Sequence, residues 1–339
     1  MSQTVLVTGG CGYIGSHVTR QLSEKGYRVI VIDNLSTGFK DSLLNGETLV
    51  VCDLGDKAAV DKVFETYRPE AVLHFAASIV VPDSVSDPLS YYRNNTVNTL
   101  SLLESCKSYQ VGKIIFSSTA AVYGDGYDYP VHEQLETRPT NPYGWSKLMD
   151  EQIIRDLAYA SDLRYAIIRY FNVAGADLEA RIGQKTPNAT HLIKVATQVA
   201  LGQRPYLNVF GQDYATKDGT AIRDYIHVED LAAAHVLALE HLNDGGLSDT
   251  FNCGYGQGYS VNEVIATLKK ISGIDFLVRQ SERRAGDVAL LVANSSRIRD
   301  VLGWTPRYQS LDTIVETAWQ WEQRLLSQKK DDLKAGLAV

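Results

Sequence analysis

The stretch Thr4-Val-Leu-Val-Thr-Gly-Gly-Cys-Gly-Tyr-Ile-Gly15 decides the fold. A short β-branched run, Val5–Val7, precedes glycines at positions 9, 12 and 15, and helical periodicity follows over Tyr13–Lys25. Glycines where a strand meets a helix allow a tight turn, a close approach of a phosphate to the backbone, and close helix–strand packing. Free amides at the helix N-terminus then hold the phosphate charge. The stretch therefore predicts a dinucleotide-binding unit rather than a plain glycine turn.

Acidic residues follow at the ends of the next two predicted strands. Asp33 ends the second strand, eighteen residues after Gly15. A carboxylate there binds the ribose diol and repels a 2'-phosphate, so we expect NAD rather than NADP. Asn34 is either a turn residue or a ribose contact. Asp53, at the end of the third strand, is either a contact to the adenine amino group or the N-cap of the next helix.

Strand and helix signals alternate through the first half of the chain. Predicted strands lie at Val29–Ile32, Leu49–Val51, Ala71–Phe75, Lys113–Ser117 and Tyr165–Arg169, and predicted helices at Ala58–Thr66, Pro88–Ser108 and Tyr143–Ala160. This alternation predicts an α/β fold with a doubly wound parallel sheet of the Rossmann type.

The pattern changes after Ala174, with a predicted strand at Ile222–His227 and a late helix at Leu311–Leu325. We expect an NAD-binding Rossmann domain over residues 1–175 and a smaller mixed α/β substrate domain over 176–327. The second is expected to be partly interlaced with the first, and residues 328–339 to form a frayed tail.

Bulk composition narrows the class of protein. The 339 residues carry a net charge of −7, which speaks against a nucleic-acid or anionic-membrane partner. Four cysteines show neither paired nor metal-ligand spacing, so we expect small buried thiols, no metal site and a reducing compartment: Cys11, Cys52, Cys106 and Cys253. No apolar run reaches the ~20 residues of a membrane span, and nothing leader-like precedes the first strand. The sequence predicts a cytoplasmic protein.

Tyr143 and Lys147 stand four residues apart on a predicted helix, so they share one face. A nearby ammonium favours the phenolate, whose usual pKa of about 10 is too high for a base in a cell. Lowering it by about three units takes roughly 4 kcal/mol, which this cation and an oxidised nicotinamide together would supply. The pair is thus a candidate acid/base couple. The alternative is a surface aromatic residue beside an unrelated lysine.

The glycine turn and the Tyr-x-x-x-Lys spacing make the chain resemble the extended short-chain dehydrogenase/reductases. Other runs narrow the resemblance to members that epimerise UDP-sugars at C4: Tyr91-Tyr-Arg-Asn94-Asn95, Ser117–Gly124, Arg169-Tyr-Phe-Asn172, Arg223-Asp-Tyr-Ile-His227 and Arg283-Arg-Ala-Gly-Asp287. The resemblance runs from Thr4 to about Trp321. It implies reversible NAD-dependent conversion of UDP-glucose and UDP-galactose through a 4-keto intermediate. It also implies a homodimer formed through the helices at Pro88–Ser108 and Tyr143–Ala160.

The same resemblance assigns roles to residues. Tyr143 would be the acid/base, Lys147 its electrostatic partner and ribose anchor, and Thr119 a hydrogen-bond partner of the reacting hydroxyl. Cofactor binding falls to Gly9, Gly12, Tyr13, Ile14, Gly15, Asp33, Asn34, Asp53, Leu54, Phe75, Ala76, Asn95 and Lys147. Substrate binding falls to Thr119, Tyr143, Asn172, His191, Leu192, Phe210, Arg223, Tyr225, Arg284, Asp287 and Leu291.

Chemistry supports several of these roles and leaves alternatives open. Guanidinium forks such as Arg223 and Arg284 suit a diphosphate, although each could instead form a structural ion pair. Asn172 would contact the nucleotide sugar and Asp287 the uridine ribose. Thr119 could merely satisfy the local backbone.

Three positions bear on specificity. The strip Thr119–Val122 carries no carboxylate, so elimination of water lacks an obvious catalyst and epimerisation is favoured. Ile79 stands where a well-known bacterial pattern has a lysine, which predicts a missing cofactor anchor. Leu291, of intermediate size, aligns with the residue that lines the sugar pocket, and predicts non-acetylated sugars. Competing hypotheses are a C4 epimerase of UDP-N-acetylhexosamines or UDP-pentoses, a net dehydrogenase or reductase, and a non-catalytic sensor or scaffold.

Overall fold

The computed structural model describes residues 2–125, 127, 130–284 and 288–336, without the side chains of residues 332–336. Its strands are β1 (Thr4–Thr8), β2 (Arg28–Asp33), β3 (Thr48–Val51), β4 (Ala71–His74), β5 (Lys113–Ser117), β6 (Arg164–Tyr170), β7 (Asn172–Ala174), β8 (Leu207–Phe210), β9 (Ile222–His227), β10 (Asp249–Cys253), β11 (Gly258–Ser260), β12 (Val278–Ser281) and β13 (Leu290–Leu291).

The helices connect these strands and cover them. They are α1 (Tyr13–Glu24), α2 (Lys57–Tyr67), α3 (Val81–Ser86), α4 (Pro88–Tyr91), α5 (Asn98–Ser108), α6 (Pro142–Tyr159), α7 (Leu192–Ala200), α8 (Val228–Asn243), α9 (Val261–Ser272), α10 (Ser296–Leu302) and α11 (Leu311–Gly336). Within the described ranges, no helix combines the length and the apolar character that crossing a membrane requires.

Seven strands form one parallel sheet, in the order β10-β6-β5-β4-β1-β2-β3. Every residue of β1 is buried, because helices cover both faces of the sheet. Val5 and Val7 belong to one apolar cluster and Leu6 to another, as the two-residue repeat of a strand requires. The doubly wound parallel sheet predicted from the alternating pattern is confirmed.

A smaller mixed sheet has β9 at its centre, paired in parallel with β7 and β13 and antiparallel to β11. A single residue, Phe171, separates β6 in the large sheet from β7 in the small one. β10, from the second half of the chain, forms an edge of the large sheet. The smaller mixed part is therefore present, while its interlacing with the first domain stays a prediction. The exact limits of the two domains and the tail stay a prediction.

Two helices differ from their predicted form. The helix predicted over Pro88–Ser108 contains a wider π-helical turn at Tyr92–Val97, a feature often found at functional sites. The Asn95 amide in this turn bonds both backbone groups of Ser78 and the Ser146 hydroxyl. α11 runs beyond Leu325, because no proline or glycine interrupts it before Gly336.

A buried carboxylate joins α1 to α8. Glu229, 7% exposed, accepts hydrogen bonds from His17 Nδ1 at 2.5 Å, from Gln21 Nε2 at 2.7 Å and from Arg20. Burial alone would raise its pKa, but the bonds and charges of His17 and Arg20 outweigh burial and hold that pKa at about 2. Ionised Glu229 therefore stabilises the packing of these two helices.

This shift predicts an acid-sensitive fold. The folded pKa of Glu229 lies below its usual value of 4.5, so its stabilisation is present above about pH 4.5 and is lost as the pH falls towards 2. We expect Glu229→Gln to remove roughly 2 kcal/mol of that dependence between pH 6 and 3, measured by urea unfolding. Glu240→Gln is the matched control, because Glu240 lies on the same helix as Glu229 and forms a surface ion pair with Lys25. Equal slopes in the wild type and Glu229→Gln would contradict this account.

Candidate active site

A cleft of about 1020 Å³ lies at the carboxyl ends of the parallel strands. This edge is where open α/β sheets bind their ligands. Successive strands each place a residue in the wall at or just beyond their last position: Gly9, Asp33, Asp53, Phe75, Ser117 and Tyr170. Residues far apart in the chain therefore meet in one cavity.

The glycine turn between β1 and α1 forms one end of the cleft. Gly9 has a φ of +70°, and a Cβ there would lie 2.7 Å from Ala76 N. A Cβ on Gly15 would lie 2.1 Å from the Gly9 carbonyl oxygen. Gly12 is less crowded, since its Cβ would meet only that same oxygen, at 3.2 Å. No side chain caps α1, so its first amides, at Tyr13 and Ile14, suit a pyrophosphate.

Asp33 lies beside this turn, 7% exposed, and lines the cleft. One carboxylate oxygen accepts the Cys11 amide at 3.0 Å and the other the Leu35 amide at 2.8 Å. Each oxygen keeps a second lone pair for a hydroxyl donor. The carboxylate is thus held in a fixed orientation that fits a ribose diol.

Asn34 and Asp53 contact each other across the cleft wall. Asn34 Nδ2 donates to Asp53 Oδ2 at 2.7 Å, while Asn34 Oδ1 accepts the Ser36 amide at 3.0 Å. Asp53 Oδ1 accepts the Gly55 amide at 2.8 Å, which closes a local turn. The N-cap of α2 is Asp56. The capping alternative for Asp53 is therefore wrong, whereas Asn34 does serve as a turn residue.

The middle of the cleft holds both predicted and unpredicted residues. The cleft is lined, as expected, by Leu54, Phe75 and Ala76. Ile79, which stands where the bacterial pattern has a lysine, lines it too. Asn95 is only 1% exposed, and its neighbour Asn94 lines the cleft instead, bonded to Ser78 Oγ at 2.9 Å. Sequence reasoning did not assign roles to Ser78 and Asn94. The Tyr91-Tyr-Arg-Asn94-Asn95 run pointed to the segment but not to which amide faces the cavity.

Tyr143 and Thr119 meet at the centre of the cleft. α6 begins at Pro142, and its N-cap Asn141 accepts the Gly144 amide at 2.9 Å, which fixes Tyr143 in the first turn. The Tyr143 side chain lines the cleft, and Thr119 lies close enough for its hydroxyl to lower the pKa of the phenol. Thr119 Oγ1 also accepts the Ala121 amide at 3.1 Å. Thr119 therefore satisfies the local backbone and contacts the phenol as well.

Burial dominates the electrostatics of this pair. It raises the pKa of the Tyr143 phenol well above its usual range, Tyr170 acts in the same direction, and the nearby Thr119 hydroxyl only partly opposes them. Lys147, one turn along α6, is 2% exposed, with Nζ 4.5 Å from the centroid of the Phe116 ring. Burial lowers the pKa of Lys147. The lowered phenol pKa expected from the Tyr–Lys spacing is therefore not a property of the protein alone.

A buried ion pair holds α6 against β5 and β6. Glu151 accepts two bonds from Arg169, at 2.9 and 2.7 Å, and one from Ser118 Oγ at 2.5 Å. Arg169 Nη1 also donates to Tyr123 Oη at 3.1 Å. Ser118 directly precedes Thr119, so the network fixes the distance between Thr119 and α6. The sequence alone did not reveal it.

The predicted sugar side lies across the cleft from the glycine turn. Asn172, His191 and Leu291 line the main cleft. A small adjoining cavity of about 30 Å³ is lined by Asn172 and His191 again, and by Leu192 and Tyr225. Gln184 lies 2.9 Å from His191 Nδ1, and burial lowers the pKa of this ring, which is therefore neutral at pH 7.

The two predicted arginines lie around Tyr225. Burial raises the pKa of Tyr225 to about 12, and the charges of Arg223 and Arg284 act against that rise. The Arg284 guanidinium lies 4.5 Å from the centroid of the Phe210 ring. The structure thus groups these four predicted residues, but they do not line the main cleft, and only Tyr225 lines the small adjoining cavity. Asp287 lies outside the described residues.

A Cβ at Gly12 has one close neighbour, the Gly9 carbonyl oxygen at 3.2 Å, which predicts a larger defect in NAD binding than in folding. We expect Gly12→Ala to weaken NAD binding at least tenfold, about 1.4 kcal/mol, because a methyl group would stand where the pyrophosphate approaches the backbone. The free energy of unfolding should change little. Equilibrium titration of NAD against cofactor-free protein measures the first effect and urea unfolding the second. Gly112→Ala, with open space around its Cβ position, is the control, and unchanged NAD affinity in Gly12→Ala would refute the assignment.

Comparison with known proteins agrees with this geometry. The model of the NAD dependent epimerase/dehydratase family matches residues 5–254. The chain is 54% identical to a UDP-glucose 4-epimerase of Azospirillum brasilense, over 96% of this chain and 93% of the relative.

Two solved structures are also similar to it. One is the UDP-glucose 4-epimerase of Brucella ovis in complex with NAD, with a TM-score of 0.91, 44% identity, and coverage of 94% and 98% of the two chains. The other is the UDP-Glc/GlcNAc 4-epimerase of Campylobacter jejuni, with a TM-score of 0.84, 46% identity, and coverage of 95% and 100%.

Proposed function

Since the chain belongs to the NAD dependent epimerase/dehydratase family, we propose that it interconverts UDP-glucose and UDP-galactose by inverting C4 of the sugar. The observation that carries this proposal is a single cleft that contains the glycine turn, Asp33 and the Thr119–Tyr143 pair. A relative that is 54% identical is named for the same reaction. Both the fold and the site thus support one chemistry.

The cofactor site accounts for the redox part. Bound NAD supplies the acceptor that takes a hydride from C4 and the donor that returns it. The turn at Gly9, Gly12 and Gly15 and the amides of α1 bind the pyrophosphate, and Asp33 binds the adenosine ribose. These are contacts of the protein that fit NAD, and the carboxylate selects against a 2'-phosphate.

Tyr143 accounts for the proton. It takes the proton of the 4-hydroxyl and returns it to the C4 oxygen after the ring has turned over, while Thr119 orients the hydroxyl. Because burial raises the pKa of the phenol, its ionised form needs a positive charge nearby. Lys147, one turn along α6, is the cation of this helix placed to supply it.

The lining of the cleft favours epimerisation over elimination. Ala120 and Ala121 line the cavity directly after Thr119, where a dehydratase would need a carboxylic acid to release water. Arg223, Arg284 and Asn172 hold the nucleotide diphosphate, so the 4-keto sugar is retained while its ring turns over. Remote binding energy therefore holds the substrate without fixing the reacting ring.

The decisive experiment follows UDP-galactose without added cofactor. Protein purified with its own NAD should convert UDP-galactose to an equilibrium mixture with UDP-glucose, while absorbance near 340 nm stays constant. NADH that accumulates in proportion to product would indicate net dehydrogenation. A requirement for stoichiometric added NAD would also overturn the redox-neutral cycle.

Acetylated sugars are a second candidate substrate class. The Campylobacter jejuni protein, named a UDP-Glc/GlcNAc 4-epimerase, is 46% identical to this chain, and Leu291 lines the cleft. Turnover of plain, N-acetylated and pentose UDP-sugars should be compared in the wild type, Leu291→Tyr and Leu291→Gly. Acetylated substrates that outperform UDP-glucose in the wild type would replace the first assignment.

A homodimer is part of the proposal. Five apolar side chains on the outer faces of α4–α6 and the π-helical turn are 42–73% exposed: Leu89, Val97, Leu100, Trp145 and Met149. Exposed apolar side chains grouped on neighbouring helices are typical of an interface. Light scattering should give twice the chain mass, and Leu100→Asp should give monomers. A monomeric wild type would exclude this interface.

We also assign the protein to the cytoplasm. All four cysteines are free thiols, and three of them are buried. This arrangement is typical of a reducing compartment.

A further inference from the structure

Two segments that are far apart in the sequence both line the cleft and are joined by one side chain. Ser36, just after β2, lines the cleft, as do Gln184 and Thr186, which precede α7. Lys185 stands between the last two residues, and its ammonium donates to Asp41 Oδ2 at 2.7 Å. A single lysine therefore connects the segment before α7 to the segment after β2.

The segment after β2 packs directly on residues assigned to the cofactor. The Phe39 amide donates to the carbonyl oxygen of Cys11, in the glycine turn, at 3.0 Å. A Cβ on Gly38 would lie 2.9 Å from each carboxylate oxygen of Asp33 and 2.9 Å from the Cβ of Cys11. The backbone of this segment is therefore in close contact with both the glycine turn and the carboxylate that suits a ribose.

Aromatic rings from both sides hold the Lys185 side chain. Its Nζ lies 5.5 Å from the centroid of the Phe39 ring and 5.6 Å from the centroid of the Trp321 ring. Only 13% of the lysine side chain is exposed, although its partner Asp41 is 72% exposed. A solvent-exposed ion pair alone stabilises little. Two ring faces against a largely buried ammonium add a cation–π attraction that water weakens less.

The backbone that carries Lys185 is itself fixed to two helices. Trp321 Nε1, on α11, donates to the Gln184 carbonyl oxygen at 3.1 Å, and Lys194 Nζ, on α7, donates to the same oxygen at 2.7 Å. A Cβ on Gly183 would lie 2.7 Å from the Trp321 ring, so the chain packs tightly on the indole. Lys185 therefore extends from a fixed support towards the segment after β2.

We propose that Lys185, Phe39 and Trp321 form a clasp that slows the release of NAD. The inference rests on the NAD site of the proposed function, because the segment held by the clasp contacts the glycine turn and Asp33. NAD bound along that turn leaves when this segment moves away from it. Each such movement must first break the contacts of Lys185. The clasp therefore acts on retention of the cofactor and not on the sugar chemistry, so Lys185 is a positioning residue.

The rate of NAD release tests the clasp without any sugar present. Protein loaded with radiolabelled NAD is mixed with excess unlabelled NAD, and the bound label is followed over time. We expect Lys185→Met, which removes the charge and keeps an unbranched side chain, to release NAD at least about tenfold faster. Lys25→Met, which removes a surface ion pair with Glu240, is the matched control and should release NAD at the wild-type rate. Equal rates in the wild type and Lys185→Met would overturn the proposal.

Two further readouts separate a clasp from a merely structural role. Phe39→Leu should also speed release, and the double variant with Lys185→Met should be little faster than either single variant, because both break one shared contact. Added salt should speed release from the wild type more than from Lys185→Met, since it screens the ion pair with Asp41. Fast release that does not respond to salt in either protein, together with a lower free energy of unfolding in Lys185→Met, would show a structural role only. A wild type that converts no UDP-sugar would refute the proposed function, while the release of NAD would still decide on the clasp.

Discussion

Replacing Tyr143 with phenylalanine is expected to lower kcat for UDP-galactose by about a thousandfold. Loss of a positioned acid/base group typically costs 10² to 10⁴ in rate. The substitution removes one hydroxyl and leaves the ring in the cleft wall, where Tyr143 is 6% exposed. Because the hydroxyl acts in the proton transfer, kcat should fall far more than KM changes. Separation of the two UDP-sugars by chromatography over time measures the rate.

The same helix provides the matched control. Tyr159, at the last residue of α6, is 96% exposed. Tyr159→Phe makes the same chemical change in the same helix and should retain the wild-type rate. Circular dichroism and NAD content should match in all three proteins. Full activity in Tyr143→Phe would remove the basis of the proposed mechanism.

Glu151→Ala is expected to lower the free energy of unfolding by about 3–5 kcal/mol. Removing one partner of a buried ion pair leaves an uncompensated charge, and losses of this size are usual. Here the charge left behind belongs to Arg169, which is 3% exposed and bonded to Glu151 at 2.9 and 2.7 Å. Urea unfolding, followed by circular dichroism, measures the effect.

Two further variants sharpen this prediction. Asp156→Ala removes an exposed carboxylate from the same helix and should cost less than about 1 kcal/mol. The double variant Glu151→Leu with Arg169→Met replaces both charges by apolar groups. It should be more stable than Glu151→Ala, because no buried charge is then unpaired. If Glu151→Ala were no less stable than Asp156→Ala, the buried pair would not stabilise the fold.

Local pattern was enough to predict the large sheet. Each of the six strands predicted from Val5 to Arg169 has ends within one residue of the observed strand. These strands are buried on both faces, so they appear as continuous apolar runs between helical stretches. The place of Thr119 in the cleft could likewise be predicted, because it follows the carboxyl end of β5, where open α/β sheets bind ligands, whereas its pairing with Tyr143 came from the family resemblance.

Features that depend on long-range packing could not be predicted. The bonds of Glu151 to Arg169 and Ser118 depend on which face of α6 meets β5 and β6. The run Asp53-Leu-Gly-Asp56 offers two candidate N-caps, and only the backbone path shows that Asp56 is used. The direction of the Tyr143 pKa shift was also hidden. The spacing shows the lysine, but not the burial that raises the pKa of the phenol.

The single residue between β6 and β7 limits how the molecule can move. Phe171 is buried, and its amide bonds the Cys253 carbonyl at 3.4 Å, while the next residue, Asn172, already pairs with Tyr225 on β9. A hinge motion that separated the two sheets at this point would break backbone hydrogen bonds on both sides of it. The two sheets therefore hold a fixed orientation at this corner. Entry and exit of a ligand then depend on movements of surface loops and not on a hinge motion between the two sheets.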